Sequence, residues 1–511
     1  VGDRFYNLVE FPYPSADGLH VGHVFKYAGA DAYGRYQRMR GHEVFQPMGW
    51  DAFGINAENY ALKIGEHPST LIARTTANFR RQLSSIDCAW DWDACVDTSK
   101  PEYYRWTQWI FLQLFRAGLA YRAEAPVVWC PSCLTVLARE QVEGGAGGDG
   151  ADRERKGVHG TCERCDTPVV ERVMRQWFLR TTAYADRLLD GLEALDWPDR
   201  SKRLQRNWIG RDEARGTYRM HDWLISRQRY WGSPIPIVYC DACGTVPVPE
   251  DQLPIVLPYI EDFRPRGTDA SPLATDPSFL HTECPACGGP ACRETDVADT
   301  FLESSWYFLR YPCVDRDDVA WDERVRPVDF YAGGHEHVQR HHLYARFVTM
   351  ALYDLGLVPF EEPFTRVRLG GLMTHAGAKM SKSKGNVVGP DEYLERYGSD
   401  VTRLALLFTM PWEHTGDFRD EQVAGAQRFL AKVRRWFATP EADNDEVEPA
   451  DAAIERVTRA MEGLKFNVAI ATLMEWRGRI DRSIFVRLLA PLAPGIAEEL
   501  RPGVLDQPWP S

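Results

Sequence analysis

No apolar run in this sequence approaches the roughly 20 residues that span a membrane as a helix. The opening VGDRFYNLVEF also lacks the basic-then-apolar pattern of an export signal. Both absences point to the cytoplasm as the expected location and to no membrane partner. No internal repeat is visible, which sets aside solenoids and propellers. Positive charge is short as well: 60 Lys and Arg stand against 73 Asp and Glu, a formal net charge of −13. That balance excludes a protein that coats nucleic acid, while leaving room for one local basic face.

What is present is a chain of 511 residues, 44% hydrophobic and 26% charged. It is long enough for about three to four ordinary domains. Eight of its twelve cysteines form four Cys-x-x-Cys pairs, and Cys88, Cys95, Cys292 and Cys313 stand apart. Without an export signal, such pairs read as metal ligands rather than disulfides. Cys130 and Cys133 match Cys162 and Cys165; Cys240 and Cys243 match Cys284 and Cys287. Four thiolates suit tetrahedral Zn²⁺ and leave no position for a catalytic water, so both sites are expected to be structural. A ribbon that folds without metal is the bland alternative.

Residues 4–11 read as a strand, 19–40 as a helix stopped by Gly41, and 43–46 as a second strand. This βαβ start predicts a parallel sheet. Aromatic-rich 101–118 has helical spacing. The strand–helix pattern resumes at DFYAGG (329–334), with a helix to about 355 and a further strand at 365–373. From about 421 the pattern is helical.

Two strings carry chemistry. His20-Val21-Gly22-His23 opens the first helix, just after the first strand, where parallel sheets bind nucleotides. Gly22 allows close approach of a ring, and the imidazoles of His20 and His23 can meet phosphate oxygens. Lys379-Met380-Ser381-Lys382-Ser383-Lys384 follows the 365–373 strand and offers cations for a leaving pyrophosphate. Alone, HVGH is more often structural, and KMSKSK could be a solvated loop. Together, in this order, they resemble the two fingerprints of class I aminoacyl-tRNA synthetases.

The strings FPYPSADGLHVGH, GWDAFG, RQWFLRTTAYADRLL, DWLISRQRYWGSPIPIVYC, DTFLESSWYFLRY and GGHEHVQRHHLYARF narrow the resemblance to bacterial leucyl-tRNA synthetases. The fold implied is α/β: a split Rossmann-type parallel-sheet catalytic domain with Cys₄ zinc-ribbon insertions and a C-terminal helical bundle. The divisions expected are catalytic halves at 1–127 and 296–378, ribbons at 128–175 and 238–295, and a connective region at 176–237. A KMSKS and stem-contact region at 379–420 and a shortened bundle at 421–511 complete them.

The activity implied is ATP- and Mg²⁺-dependent activation of leucine, then transfer to tRNA. His20, His23, Lys379 and Lys382 are the expected catalytic groups, and Gly22, Glu336, Met380 and Ser381 the ATP contacts. Phe11, Tyr13, Asp51, Phe301, Tyr307, His337 and His341 are the expected amino-acid pocket, with Asp51 holding the ammonium. Core packing for Phe301 and Tyr307, a turn role for Asp51, and a metal site for the i, i+4 pair His337 and His341 are the generic rivals. Glu10, Asn56, His335 and Gly370 depart from the family pattern near the site, which leaves a close analogue of leucine open as substrate.

Only RDEARGTYRMH separates Gly210 from Asp222, where the family inserts an editing domain, and QPWPS follows a short bundle. The expectation is therefore a monomer that lacks editing and the C-terminal tRNA-binding domain, and that binds tRNA weakly. A specialised paralogue serving natural-product assembly or inhibitor resistance is the alternative. A non-catalytic regulator would be expected to lose the phosphate motifs.

Overall fold

A computed structural model describes residues 3–138, 141–143, 160–212, 214–268, 270–380, 386–440 and 448–510. Strand β1 (Arg4–Val9) leads through a proline-rich connection to helix α1 (Val21–Met39). Gly41, at φ +94°, takes the left-handed turn that releases the chain into β2 (Glu43–Phe45). After a long insertion the sheet resumes with β3 (Phe330–Gly333), helix α2 (His341–Asp354) and β4 (Val367–Leu369).

All four strands are parallel, in the order β2–β1–β3–β4. Asn7 faces Phe330 and Tyr331 faces Val367. Every residue of β3 is buried, as are Tyr6 to Val9 of β1, the mark of a sheet covered on both faces. The chain leaves β1 and β3 toward opposite edges of the sheet. A crevice must therefore open at their carboxyl ends, the position where such sheets bind ligands.

α1 is buried almost all round, with Val24, Phe25, Tyr27, Ala28, Tyr33 and Tyr36 at core positions. Its middle carries an ionic cluster. Asp31 accepts from Arg35 at 2.9 Å, from Arg403 at 2.7 Å and from the Ala89 N–H at 2.7 Å. Arg403 lies on the helix Ser399–Thr409 and also donates to the Pro491 carbonyl. One carboxylate thus joins α1, the 89 loop and the C-terminal helices. Those helices (Asp420–Ala438, Asp451–Glu462, Phe466–Trp476, Arg482–Leu489 and Pro494–Leu500) follow the helical pattern of the sequence.

Ala120–Cys130 and Val170–Leu179 pair antiparallel from Ala120–Leu179 to Trp129–Val170, and the first cysteine module sits at the tip of this ribbon. A four-stranded sheet of short strands carries the second module. The two ribbons meet where the Trp177 Nε1–H donates to Glu294 at 2.9 Å. Between Gly210 and Asp222 the chain makes only a small hairpin, Arg211–Asp212 against Thr217–Tyr218. Among the described residues, no helix is long and apolar enough to cross a membrane.

Three local expectations change. β1 ends at Val9, because Glu10 and Phe11 turn into the crevice rather than continue the strand. The 365–373 strand is two, Val367–Leu369 and Met373–His375. Gly370 and Gly371 break it where the backbone runs against the 412–414 segment: the Gly371 N–H donates to the Trp412 carbonyl, and a Cβ on Gly371 would lie 1.6 Å from the His414 oxygen. His337 and His341 do not share a helix. His337 ends a 3₁₀ turn, Arg340 (φ −123°, ψ −101°) is non-helical, and α2 starts at His341.

Burial alone would raise the Asp31 pKa, but the Arg35 and Arg403 guanidiniums and the Ala89 N–H bring it down to about 2. A depressed carboxyl contributes stability that is complete above its unfolded value of about 4. That contribution is lost as pH falls toward 2. Asp31→Asn strands two buried guanidiniums and is expected to cost about 3–5 kcal/mol at pH 7. Urea unfolding should show the gap between wild type and variant closing as the pH is lowered.

Candidate active site

The crevice between β1 and β3 is lined by the chain just after each strand. His20 is the N-cap of α1: its Nδ1 accepts from the Gly22 N–H at 3.1 Å, and its own N–H donates to His23 Nδ1 at 3.2 Å. Both Nδ1 atoms accept, so the proton of each neutral ring sits on Nε2. The rings lie 3.8 Å apart. Gly22 is needed for this packing, since a Cβ there would come within 2.9 Å of the His20 ring. Two N–H donors at a helix N-terminus form a site that favours anions.

The chain that flanks the second motif lies against the first. Lys379 pairs through its backbone with Thr374, Met380 is buried, and beyond the motif the Val388 carbonyl accepts from the Val21 N–H at 3.0 Å. Ser381 and Lys382 lie outside the described residues. Lys26, one turn beyond His23, was not singled out by the sequence, yet it and His337 hold the Glu336 carboxyl below its ordinary value against the opposing effect of burial. Glu336 folds back over Gly334, where a Cβ would lie 2.8 Å from its carboxyl group.

The remaining candidates converge on the same crevice. Phe11 stacks on Tyr307, centroids 4.0 Å apart at 11°. The Tyr307 hydroxyl meets the Tyr331 hydroxyl at 2.9 Å, which in turn meets His341 Nε2 at 2.7 Å. Tyr13 and Phe301 flank His337, with centroids at 6.2 and 6.4 Å. Tyr331 and Thr300 were missed in the sequence. A tyrosine on a buried strand and a threonine at a helix start carry no local signal of a site.

Asp51 is the most unusual group. It is 1% exposed; its Oδ1 accepts from Thr300 Oγ1 at 3.0 Å, and its Oδ2 has no hydrogen-bond partner among the described residues. Burial pushes its carboxyl up to about 8, despite Thr300, Tyr13 and Thr98 nearby. A buried carboxylate oxygen without a partner is a position prepared for a cation. Near it, Glu303 is fully buried with both side-chain oxygens unpaired by the same measure, and burial raises its pKa well above normal. Burial therefore disfavours the ionised form of both acids while the site is empty.

Both cysteine tetrads assemble, with the four sulfurs of each within 4.8 Å of one another. In the first, Cys130–Cys165, Cys133–Cys165 and Cys133–Cys162 are 3.4, 3.6 and 3.9 Å apart. Thiolates around tetrahedral zinc stand about 3.8 Å apart at a bond length of about 2.3 Å. Cys292 faces His281 outside the second tetrad, and all twelve cysteines are free of disulfides.

An Asp with a raised folded pKa takes up a proton that the unfolded chain has lost, so its contribution to stability declines as pH rises from about 4 to about 8. Asp51→Asn removes that burden. The variant is expected to gain stability over wild type progressively across this range, measured by urea unfolding at pH 5 and pH 8. An unchanged difference would mean that Asp51 is not the strained group.

The family of tRNA synthetases class I (I, L, M and V) matches residues 5–416. The Leucine--tRNA ligase of Caldanaerobacter subterraneus subsp. tengcongensis is 34% identical over 734 aligned positions, covering 100% of this chain and 88% of that protein. That of Rubrobacter xylanophilus is 35% identical over 723 positions, covering 99% and 86%. Both alignments are longer than the chain itself, so these relatives carry residues with no counterpart here. Among solved structures, the agnB2 LeuRS of Agrobacterium radiobacter K84, in a ternary complex with tRNA and LeuAMS, superposes with a TM-score of 0.89 at 31% identity. The match covers 100% of this chain and 87% of that one. Mycobacterium tuberculosis methionyl-tRNA synthetase, at 19% identity and a TM-score of 0.67 over 98% and 93% of the two chains, shares the fold. With this similarity along its length, the chain belongs to the class I tRNA synthetases, in the leucine–tRNA ligase family.

Proposed function

We propose that this chain activates leucine, or a close analogue, with ATP and passes the aminoacyl group to tRNA. The observation that carries the reading is Asp51, buried with one oxygen on Thr300 and the other without a hydrogen-bond partner among the described residues, close to Tyr13 in the crevice. An α-ammonium completes Asp51, and the aromatic walls receive a branched aliphatic side chain. A substrate carboxylate oxygen then forms a bond to the α-phosphorus of ATP as the bond to pyrophosphate breaks. The His20 and His23 donors face the phosphates, and Lys379 and Lys382 are assigned to the departing pyrophosphate. Mg²⁺ would accompany the nucleotide.

The reading includes the absence of post-transfer editing. The small 211–218 hairpin and the excess length of the relatives' alignments support it. One methylene in an apolar pocket discriminates by only about 1–3 kcal/mol. An enzyme without a second sieve therefore suits a specialised role as well as translation. The reading extends to weak tRNA binding, which the net charge of −13 supports; on the C-terminal helices, Arg434 is ion-paired with Glu499 at 2.6 Å.

The test is amino-acid-dependent ATP–pyrophosphate exchange beside aminoacylation of total tRNA at matched salt. Leucine-dependent exchange without tRNA is expected, with slower charging that weakens further as salt rises. Asp51→Ala should abolish the exchange. Charging as fast as exchange at physiological salt would make tRNA a well-bound substrate. No exchange with leucine or with any close analogue would sink the substrate assignment.

Zinc is assigned to the two tetrads on the sulfur spacing. Metal analysis of protein purified without chelator is expected to find close to two zinc ions per chain, one for each tetrad. Cys130→Ser should remove one of them and expose the Ala120–Leu179 ribbon to proteolysis. A metal-free protein with an intact ribbon would overturn the assignment.

A further inference from the structure

Glu10 is the first residue after β1, held at the strand end by its N–H bond to the Ala332 carbonyl at 2.9 Å. Its carboxylate therefore enters the crevice beside Phe11, which stacks on Tyr307. One oxygen lies 2.9 Å from His342 Nε2, and the other accepts from the Gly334 N–H at 2.8 Å. Gly333 makes room for it: a Cβ there would be 2.5 Å from the carboxylate. A carboxylate offers about four lone-pair sites, so two hydrogen bonds leave it unsaturated. His342 is closed off at 0% side-chain exposure, while Glu10 keeps 17%. The pair is shut on its histidine side and keeps some access on its glutamate side.

The surroundings do not neutralise this anion. Burial opposes ionisation of Glu10, but His337 and His342 hold its carboxyl well below the ordinary range. Burial in turn lowers the pKa of His341 and His342, which disfavours their cationic forms. The Nδ1 atoms of His337, His341 and His342 are buried without a hydrogen-bond partner among the described residues. A purely aliphatic side chain packed here would strip water from a carboxylate and give nothing back, a loss that sites with polar walls do not tolerate.

We propose that Glu10 makes this site select an amino acid whose side chain carries a hydrogen-bond donor, a hydroxyl or an amino group, over leucine itself. The proposal rests on the reading of the crevice as an amino-acid-activating site, and it names the class of analogue that the site takes. Glu10 acts as the specificity-determining residue, with His342 and the Gly334 N–H as the clamp that aims it.

Pyrophosphate exchange with the full chain tests this. The panel is leucine, 4- and 5-hydroxyleucine, and the amino-bearing 2,4-diaminobutyrate, ornithine and lysine. At least one donor-bearing member is expected to exceed leucine by tenfold or more in kcat/KM. Glu10→Gln separates the two donor types: it should abolish a preference for an amino group and only reduce one for a hydroxyl. Glu10→Met/His342→Leu replaces the pair by apolar groups and should turn the preference toward leucine. A merely structural role would lower kcat/KM for every substrate alike and leave the ratios unchanged, which overturns the assignment. Wild type preferring leucine to every donor-bearing member overturns it without any variant. Exchange with no amino acid at all would instead remove the adenylation reading on which the proposal stands.

Discussion

The contact between Asp31 and Arg403 holds the catalytic half of the molecule to its helical half. Both side chains are fully buried, and the carboxylate also takes Arg35 and the Ala89 N–H. A charge in that position cannot be relaxed by water, so each partner is indispensable to the other. Its effect on the site is indirect but large. α1 carries the His20–His23 pair at its N-terminus, and Asp31 fixes the helix in its middle. The orientation of the anion-favouring end is therefore set by a cluster about two to three turns away.

The features legible in the sequence were those with local causes. Gly41 after a helical run, the Cys-x-x-Cys pairs and the histidines at a helix start each act within a few residues of their position. The structure places them where such reasoning put them: at a positive φ, in two tetrads and at an N-cap. The features that escaped are tertiary. The 365–373 strand breaks because a distant segment presses on Gly371. The His337–His341 pair leaves helical register because Arg340 departs from helical geometry, while His341 is held by Tyr331 on a neighbouring strand. Thr300 and His342 become part of the site only through partners about 250 and 330 residues away in sequence.

The crevice divides into two electrostatic regions. On the α1 side, imidazole N–H groups, Lys26 and a helix N-terminus favour anions. On the other side stand the carboxyl groups of Asp51 and Glu10, with Phe11 stacked on Tyr307. On the proposed function, a zwitterionic amino acid would meet both at once, its ammonium at Asp51 and its carboxylate turned toward the anion-favouring end. That arrangement would help to orient the reacting carboxylate.

Asp51 also governs how protons move when the site fills. With its carboxyl pushed up to about 8, most of the empty site is protonated near neutral pH. An ammonium arriving beside it favours the ionised form and expels that proton to solvent. Occupation of the site is then an exchange of one positive charge for another. The interior keeps its charge balance, the apparent affinity climbs as the solution becomes more alkaline, and the heat of binding depends on the buffer that receives the released proton.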